Sequence, residues 1–184
     1  MSNLIHFKNL LSGGWTNTKD AVSYKIIGSV LCLESSNGTK DWIRNINVLP
    51  AIRRIGGIDM IIPAGMARAW DTLRPILEQS TISFIAGYSH GGWLAAISSA
   101  HTGIPAVSFG CPGVAVMTKR NIHRFDKCTF ISGYRDLFTI FQGIYSHGLN
   151  QKILTGQTKR DGESLSVWIS GHSPDMYLQL LEQQ

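Results

Sequence analysis

The stretch that most restricts the fold runs Ile82-Ser83-Phe84-Ile85-Ala86-Gly87-Tyr88-Ser89-His90-Gly91-Gly92-Trp93-Leu94-Ala95-Ala96. It opens as a short apolar run rich in β-branched and aromatic residues, the pattern of a buried strand. It closes on small and apolar residues, Leu94 to Ala100, the pattern of a helix packed closely on a sheet. Between them lies Gly87-x-Ser89-x-Gly91. A Gly-x-Ser-x-Gly between strand and helix reads as a nucleophile elbow. Any Cβ two residues either side of the serine would crowd so sharp a turn. The helix N-terminus points at the same spot and favours developing negative charge. The backbone N–H of His90 is thereby placed to donate to an oxyanion.

The 184 residues suffice for one domain, 1–184, with a substantial core. With 43% hydrophobic and 16% charged residues the composition is globular. No apolar run reaches the length of a membrane span, and the first residues lack a charged-then-apolar secretory pattern, so a cytoplasmic protein is expected. Cys32, Cys111 and Cys128 are odd in number and far apart, which favours reduced core thiols over disulfides or a metal site. Part of the +5 net charge falls in Lys119 to Lys127. That run reads as a solvated face, with peripheral contact to an anionic membrane surface as the sharper alternative; no nucleic-acid-binding motif accompanies it.

Leu4, Phe7, Leu10 and Leu11 have helical spacing, ended by Gly13-Gly14. Tyr24 to Leu33 reads as one strand with a bulge at Gly28, because a single residue is too short for a hairpin turn. A polar loop follows from Glu34. Ile58 to Ile62 reads as a short strand before Pro63. Ala64 to Gln79 is helical, with a kink or break expected at Pro75. Ile104 to Phe109 and Cys128 to Ser132 are further buried strands. Gln151 to Leu154 and Ser164 to Ile169 read as a late hairpin pair. Ser173, Pro174 and Asp175 then open a terminal helix as N-cap, first residue and first-turn acid. Strands alternating with helices imply a mostly parallel central sheet flanked by helices, a single compact α/β domain.

A serine hydroxyl needs a base and a carboxylate to orient it. Chains carrying this elbow place acid, then base, after the serine. Of Asp126, Asp136, Asp161 and Asp175, Asp136 follows a core strand by a short loop, where a sheet presents its reactive groups. Of the histidines, His90 is too close to swing onto Ser89 and reads as a pocket wall. His101 ends a helix, where a cation would meet the dipole. His123 lies in the basic run. His172, in the loop before the last helix, is the expected base, with His147 in reserve. Ser89, Asp136 and His172 thus form the candidate triad.

Several segments, in order, carry a resemblance. Gly87-Tyr88-Ser89-His90-Gly91-Gly92 is similar to Gly-His-Ser-Leu-Gly-Gly. Ser108 to Gly113 is similar to Thr-Phe-Gly-x-Pro-Arg. Leu33 to Ser36, then Asp41-Trp42 and Asn45, resembles Phe-Arg-Gly-Thr followed by Asp-Trp and Asn. Ser132 to Leu137, Tyr145-Ser146-His147-Gly148, and His172 with Tyr177 resemble the acid loop, a Tyr-x-His-x-Gly segment and the base region. Together, from about Val22 to Leu181, they resemble the class 3 lipase family, the fungal-type triacylglycerol lipases of the α/β-hydrolase fold. The resemblance implies an α/β-hydrolase, and the length of the chain leaves little or no sequence for a lid. It implies a serine esterase or lipase acting on carboxylic esters of lipids through Ser89, Asp136 and His172, with no metal or organic cofactor. It also implies a second oxyanion donor at Ser36, with Gly38-Thr39 as the rival. A thioesterase or acyltransferase on the same triad, and a non-catalytic protein of this fold, are the alternatives.

Overall fold

A computed structural model describes residues 3–18, 22–34, 49–133, 136, 145–154 and 172–184. Seven of the described strands form one sheet. They are β1 (Thr16–Asn17), β2 (Ser23–Ile27), β3 (Val30–Leu33), β6 (Phe84–Tyr88), β7 (Ala106–Phe109), β8 (Cys128–Gly133) and β9 (Gln151–Leu154), in the order β1-β2-β3-β6-β7-β8-β9. From β3 to β9 every pairing is parallel; β1 and β2 join one side antiparallel. This is the mostly parallel α/β architecture expected from the alternation of patterns.

The pleat sorts the side chains into two apolar layers. Leu31, Leu33, Ile85, Ala106, Cys128 and Phe130 pack with α2 (Ala64–Gln79) and α3 (His90–Thr102). Cys32, Ala86, Tyr88, Val107, Phe109 and Ile131 pack with α1 (Asn3–Leu11) and α4 (Pro174–Glu182). In α3 every residue from His90 to Ala100 is buried, and its glycines, alanines and serines let it lie close to the strands. Gly103 ends it in the left-handed conformation. Ser173 caps α4, its Oγ accepting from the Met176 N–H at 3.3 Å, with Pro174 at the first helical position. Cys32, Cys111 and Cys128 are buried free thiols. No helix among the described residues is long and apolar enough to cross a membrane.

Four expectations are revised or limited. The segment 23–33 is a hairpin, not a bulged strand: Ile27 pairs with Val30 across Gly28-Ser29. Only Gly28 takes positive φ there, +61°, as a type II′ turn requires. The strand β5 (Ile58–Pro63) lies outside the main sheet, paired antiparallel with β4 (Pro50–Ile55). β4 escapes the apolar-run criterion because it carries Arg53 and Arg54, which pair with Asp71 and Asp59. α2 runs unbroken through Pro75. That proline is on the solvent side, while Trp70, Leu73 and Leu77 are buried on the inner side. Of the late strand pair, Gln151–Leu154 lies parallel to β8, and Ser164 to Ile169 falls outside the described residues.

The glycines of the elbow are packing requirements. A Cβ on Gly87 would lie 2.0 Å from the Gly91 carbonyl oxygen, and one on Gly91 would lie 2.2 Å from that of Leu33. Neither backbone oxygen can move without separating α3 from the sheet. Gly91→Ala is therefore expected to cost about 3 kcal/mol or more in urea unfolding. Gly13→Ala, where a Cβ meets nothing within 4 Å, is expected to stay within about 0.5 kcal/mol of the parent.

Candidate active site

Ser89 stands at the end of β6 and immediately before α3. Its backbone adopts φ 56° and ψ −118°, and it is the only non-glycine residue with positive φ among the described residues. A conformation of this kind costs on the order of 1–3 kcal/mol and persists only where its surroundings dictate it. Here the Ser89 N–H donates to the Phe109 carbonyl on β7 at 2.8 Å, and the Ser89 carbonyl accepts the Trp93 N–H at 3.1 Å. Ser108 Oγ donates to the Gly92 carbonyl at 2.9 Å, tying the first turn of α3 to β7. The strained turn is thus bonded on both sides to rigid elements.

The structure brings Ser89, His172 and Asp136 together. Ser89 Oγ and His172 Nε2 are 2.7 Å apart, and His172 Nδ1 and Asp136 Oδ2 are 2.8 Å apart. Asp136 is fully buried, Ser89 is 5% exposed, and the His172 side chain is 11% exposed. With a carboxylate on the Nδ1 side, Nδ1 carries the proton and Nε2 is free to accept one from the serine. Asp136 follows β8 and His172 precedes α4, the two strand-end and loop positions expected from their chemistry.

Two further residues, Tyr177 and Gly110, complete the arrangement. Tyr177, on α4, donates its hydroxyl to Asp136 Oδ2 at 2.7 Å and accepts the Gly133 N–H at 2.9 Å. Burial first, and then the neighbouring Asp136 charge, push its phenol well above the ordinary range, so it remains a donor. Gly110 ends β7 at φ +56°; a Cβ there would lie 3.1 Å from His172 Cε1 and 3.2 Å from both Asp136 Oδ2 and Tyr177 Oη. The absent side chain leaves the room in which Asp136, His172 and Tyr177 meet. Tyr177's spacing after Ser173, at the inner face of an N-capped helix, was the available signal for the first. A glycine closing a strand was the signal for the second.

The remaining candidates fall elsewhere. His147 Nε2 donates to the Cys111 carbonyl at 2.7 Å, and burial lowers its pKa against the opposing pull of that carbonyl and Asp136. It is a buried structural donor, while Ser89 Oγ pairs with His172. Asp126 lies beside His123 on the surface, and Asp175 sits in the first turn of α4. His101 is structural, as expected, but not as a helix-end cation: its Nδ1 accepts the Gly56 N–H at 3.2 Å, and burial lowers its pKa. It joins the β4–β5 turn to α3 as a neutral ring. Asp161, Ser36 and Gly38-Thr39 lie outside the described residues.

His90 begins α3, where helix geometry leaves its backbone N–H outside the intrahelical ladder and beside Ser89. Its side chain is buried, and neither ring nitrogen has a hydrogen-bond partner among the described residues. Burial lowers its pKa to about 4. A neutral ring next to the serine places no charge beside the oxyanion position.

No protein-family model matches the sequence, and no curated protein matches it. Solved structures do. The Lip2 lipase of Yarrowia lipolytica superposes with a TM-score of 0.53 at 15% identity, covering 75% of this chain and 64% of that one. A triacylglycerol lipase from Penicillium expansum gives a TM-score of 0.51 at 12% identity, covering 85% and 82%. The chain therefore has the α/β-hydrolase fold of fungal-type lipases, and it spans about two thirds of the length of the Yarrowia enzyme.

The neutral burial of His90 sets a pH dependence. Its unfolded pKa is near 6.5 and its folded pKa about 4, so as pH falls between these values the unfolded chain takes up a proton that the folded one does not. This contribution to stability is complete above pH 6.5 and is lost progressively down to about pH 4. Urea midpoints measured at pH 7.5 and 4.5 should fall less in His90→Leu than in the parent. An equal fall in both would show that His90 is not buried as the neutral ring.

Proposed function

We propose that this chain is a serine hydrolase of carboxylic esters, acting on lipid esters of the kind named for its structural neighbours. The observation that carries this reading is the continuous pair of hydrogen bonds, Ser89 Oγ to His172 Nε2 and His172 Nδ1 to Asp136 Oδ2, at the end of a parallel sheet. Both distances fall within the range in which a proton passes in one step.

Ser89 Oγ attacks the ester carbonyl as His172 Nε2 takes its proton. Asp136, held by Tyr177, keeps the imidazole in the tautomer that can accept and stabilises the imidazolium that forms. Negative charge gathers on the former carbonyl oxygen. The N–H of His90, at the positive end of α3, supports it; Ser36 or Gly38-Thr39, the candidates for a second donor, lie outside the described residues. His172 then returns the proton to the departing alcohol, leaving an acyl-serine. Water, deprotonated by the same imidazole, releases the acid and regenerates Ser89.

The basic run is not part of this arrangement. Lys127 and Arg124 lie beside Gly103 and Gly56, and Gly56 abuts the Ala100 carbonyl near the far end of α3. A helix of 13 residues separates that end from Ser89 by about 20 Å. An anionic surface held there would sit away from the serine, so contact with such a surface through this run serves location rather than substrate entry.

Treatment with a fluorophosphonate should place an adduct on Ser89, located by peptide mapping. Ser89→Ala and His172→Ala should each lower hydrolysis of a short p-nitrophenyl ester by on the order of 10⁴-fold, and Asp136→Asn by about 10²–10⁴-fold. His147→Ala should retain the adduct. Undiminished hydrolysis by folded Ser89→Ala would falsify the reading.

A further inference from the structure

We propose that Tyr88 is a positioning residue for the base, holding His172 both by its main chain and by the plane of its ring. The inference rests on the reading of Ser89, His172 and Asp136 given above and goes beyond it to a residue outside the triad.

Two hydrogen bonds to Nδ1 and Nε2 fix the ends of an imidazole. They leave the ring free to tilt about the line between those atoms, and they leave the backbone of the loop before α4 unanchored. Tyr88 acts at both points. Its hydroxyl donates to the His172 carbonyl. Its ring stacks on the imidazole with centroids 5.3 Å apart and planes 23° from parallel. Tyr88 is the last residue of β6 and precedes Ser89 directly, so nucleophile and base take their positions from one strand end. When the imidazole gains its proton, a π face lies against the new cation.

Tyr88 is itself constrained. Its ring meets Phe7 of α1 edge-on at 5.8 Å and Tyr177 of α4 edge-on at 5.8 Å. Phe7 also packs on Phe109 at 4.9 Å and on Tyr177 at 5.9 Å. One side chain from α1 thus backs both tyrosines, the one that holds the base and the one that holds the acid. Burial, with Asp136 and Asp175 nearby, raises the Tyr88 phenol above its ordinary range and keeps it a donor.

The test compares the rate of fluorophosphonate adduct formation on Ser89 in the parent, Tyr88→Phe and Tyr88→Leu, each measured per folded molecule, with the same substitutions in the His172→Ala background. Tyr88→Phe keeps the stacked ring and loses the hydroxyl; a rate about tenfold lower is expected. Tyr88→Leu loses both and should fall about a hundredfold, with the fall in ester hydrolysis appearing in kcat while KM stays within about twofold. In the His172→Ala background Tyr88→Phe should slow the residual reaction no further, because the group it positions is gone.

Parent-like rates in both variants would overturn the proposal. So would an equal slowing in both backgrounds, which would place Tyr88's effect on the Ser89 turn instead of on the base. If Tyr88→Leu does not fold, Tyr88→Phe decides alone. A parent protein that forms no adduct on Ser89 overturns the functional reading and this inference with it; a labelled parent with indifferent Tyr88 variants overturns only this one.

Discussion

Everything at the site depends on one close approach: the turn between β6 and α3 is packed so tightly that neither Gly87 nor Gly91 can carry a side chain. That contact forces the positive φ of Ser89, and the bond from the Ser89 N–H to Phe109 holds it. Were the two elements a few ångströms further apart, the serine would relax to ordinary backbone and its hydroxyl would turn away from the sheet end. The strain is small beside the burial of α3, whose first eleven residues are enclosed. The fold can therefore hold it without a special device.

The same strand that braces the serine also makes room for its partners. β7 accepts the Ser89 N–H through Phe109, and one residue later Gly110 turns with positive φ. Its N–H donates to the Ile131 carbonyl on β8 at 2.9 Å, and Asp136 follows from the end of that strand. Parallel neighbours thus deliver Ser89, the space at Gly110 and Asp136 side by side at their C-terminal ends. The acid is wholly buried, where an unsupported carboxylate would be too costly to ionise. Tyr177 and His172 both donate to Asp136 Oδ2, so the buried carboxyl oxygen is held by partners from the loop before α4 and from α4 itself.

What could be read in the sequence follows from the range over which each feature is determined. The elbow is local: the five residues Gly87 to Gly91, set between a strand pattern and a helix pattern, declare it. Asp136 and His172 were legible because strand ends and helix starts have their own signals, and the sheet does the rest. Gly28 was misread because strand-like residues on both sides concealed that Ser29 belongs to the turn. β4 was passed over because its arginines are satisfied by Asp71, far along the chain, and by Asp59 on the paired strand. The role of His101 depends on a donor 45 residues away, the Gly56 N–H. Tyr177 and Gly110 matter only through what lies across the sheet from them. Such pairings are tertiary, and no local pattern carries them.

The layer formed by α1 shows how a short chain without disulfides among its described cysteines can hold reacting groups in register. α1 comes first in sequence and contributes no reacting group. Yet its C-terminal end is fastened to β2 by the buried Lys25. That ammonium donates to the Ser12 carbonyl, to Ser12 Oγ at 2.8 Å and to the Gly13 carbonyl at 3.3 Å, while lying 4.1 Å over the Trp15 ring. A cation at the end of a helix meets the negative pole of its dipole, so the lysine's burial is compensated where it stands. Fastened in this way, α1 presents Phe7 to Tyr88, Phe109 and Tyr177 together. The rings beneath the site are then packed against a fixed surface and not against a loose end. His172 and Asp136 thus rest against a layer of four rings, Phe7, Tyr88, Phe109 and Tyr177, on the opposite side of the sheet from the helix that follows Ser89.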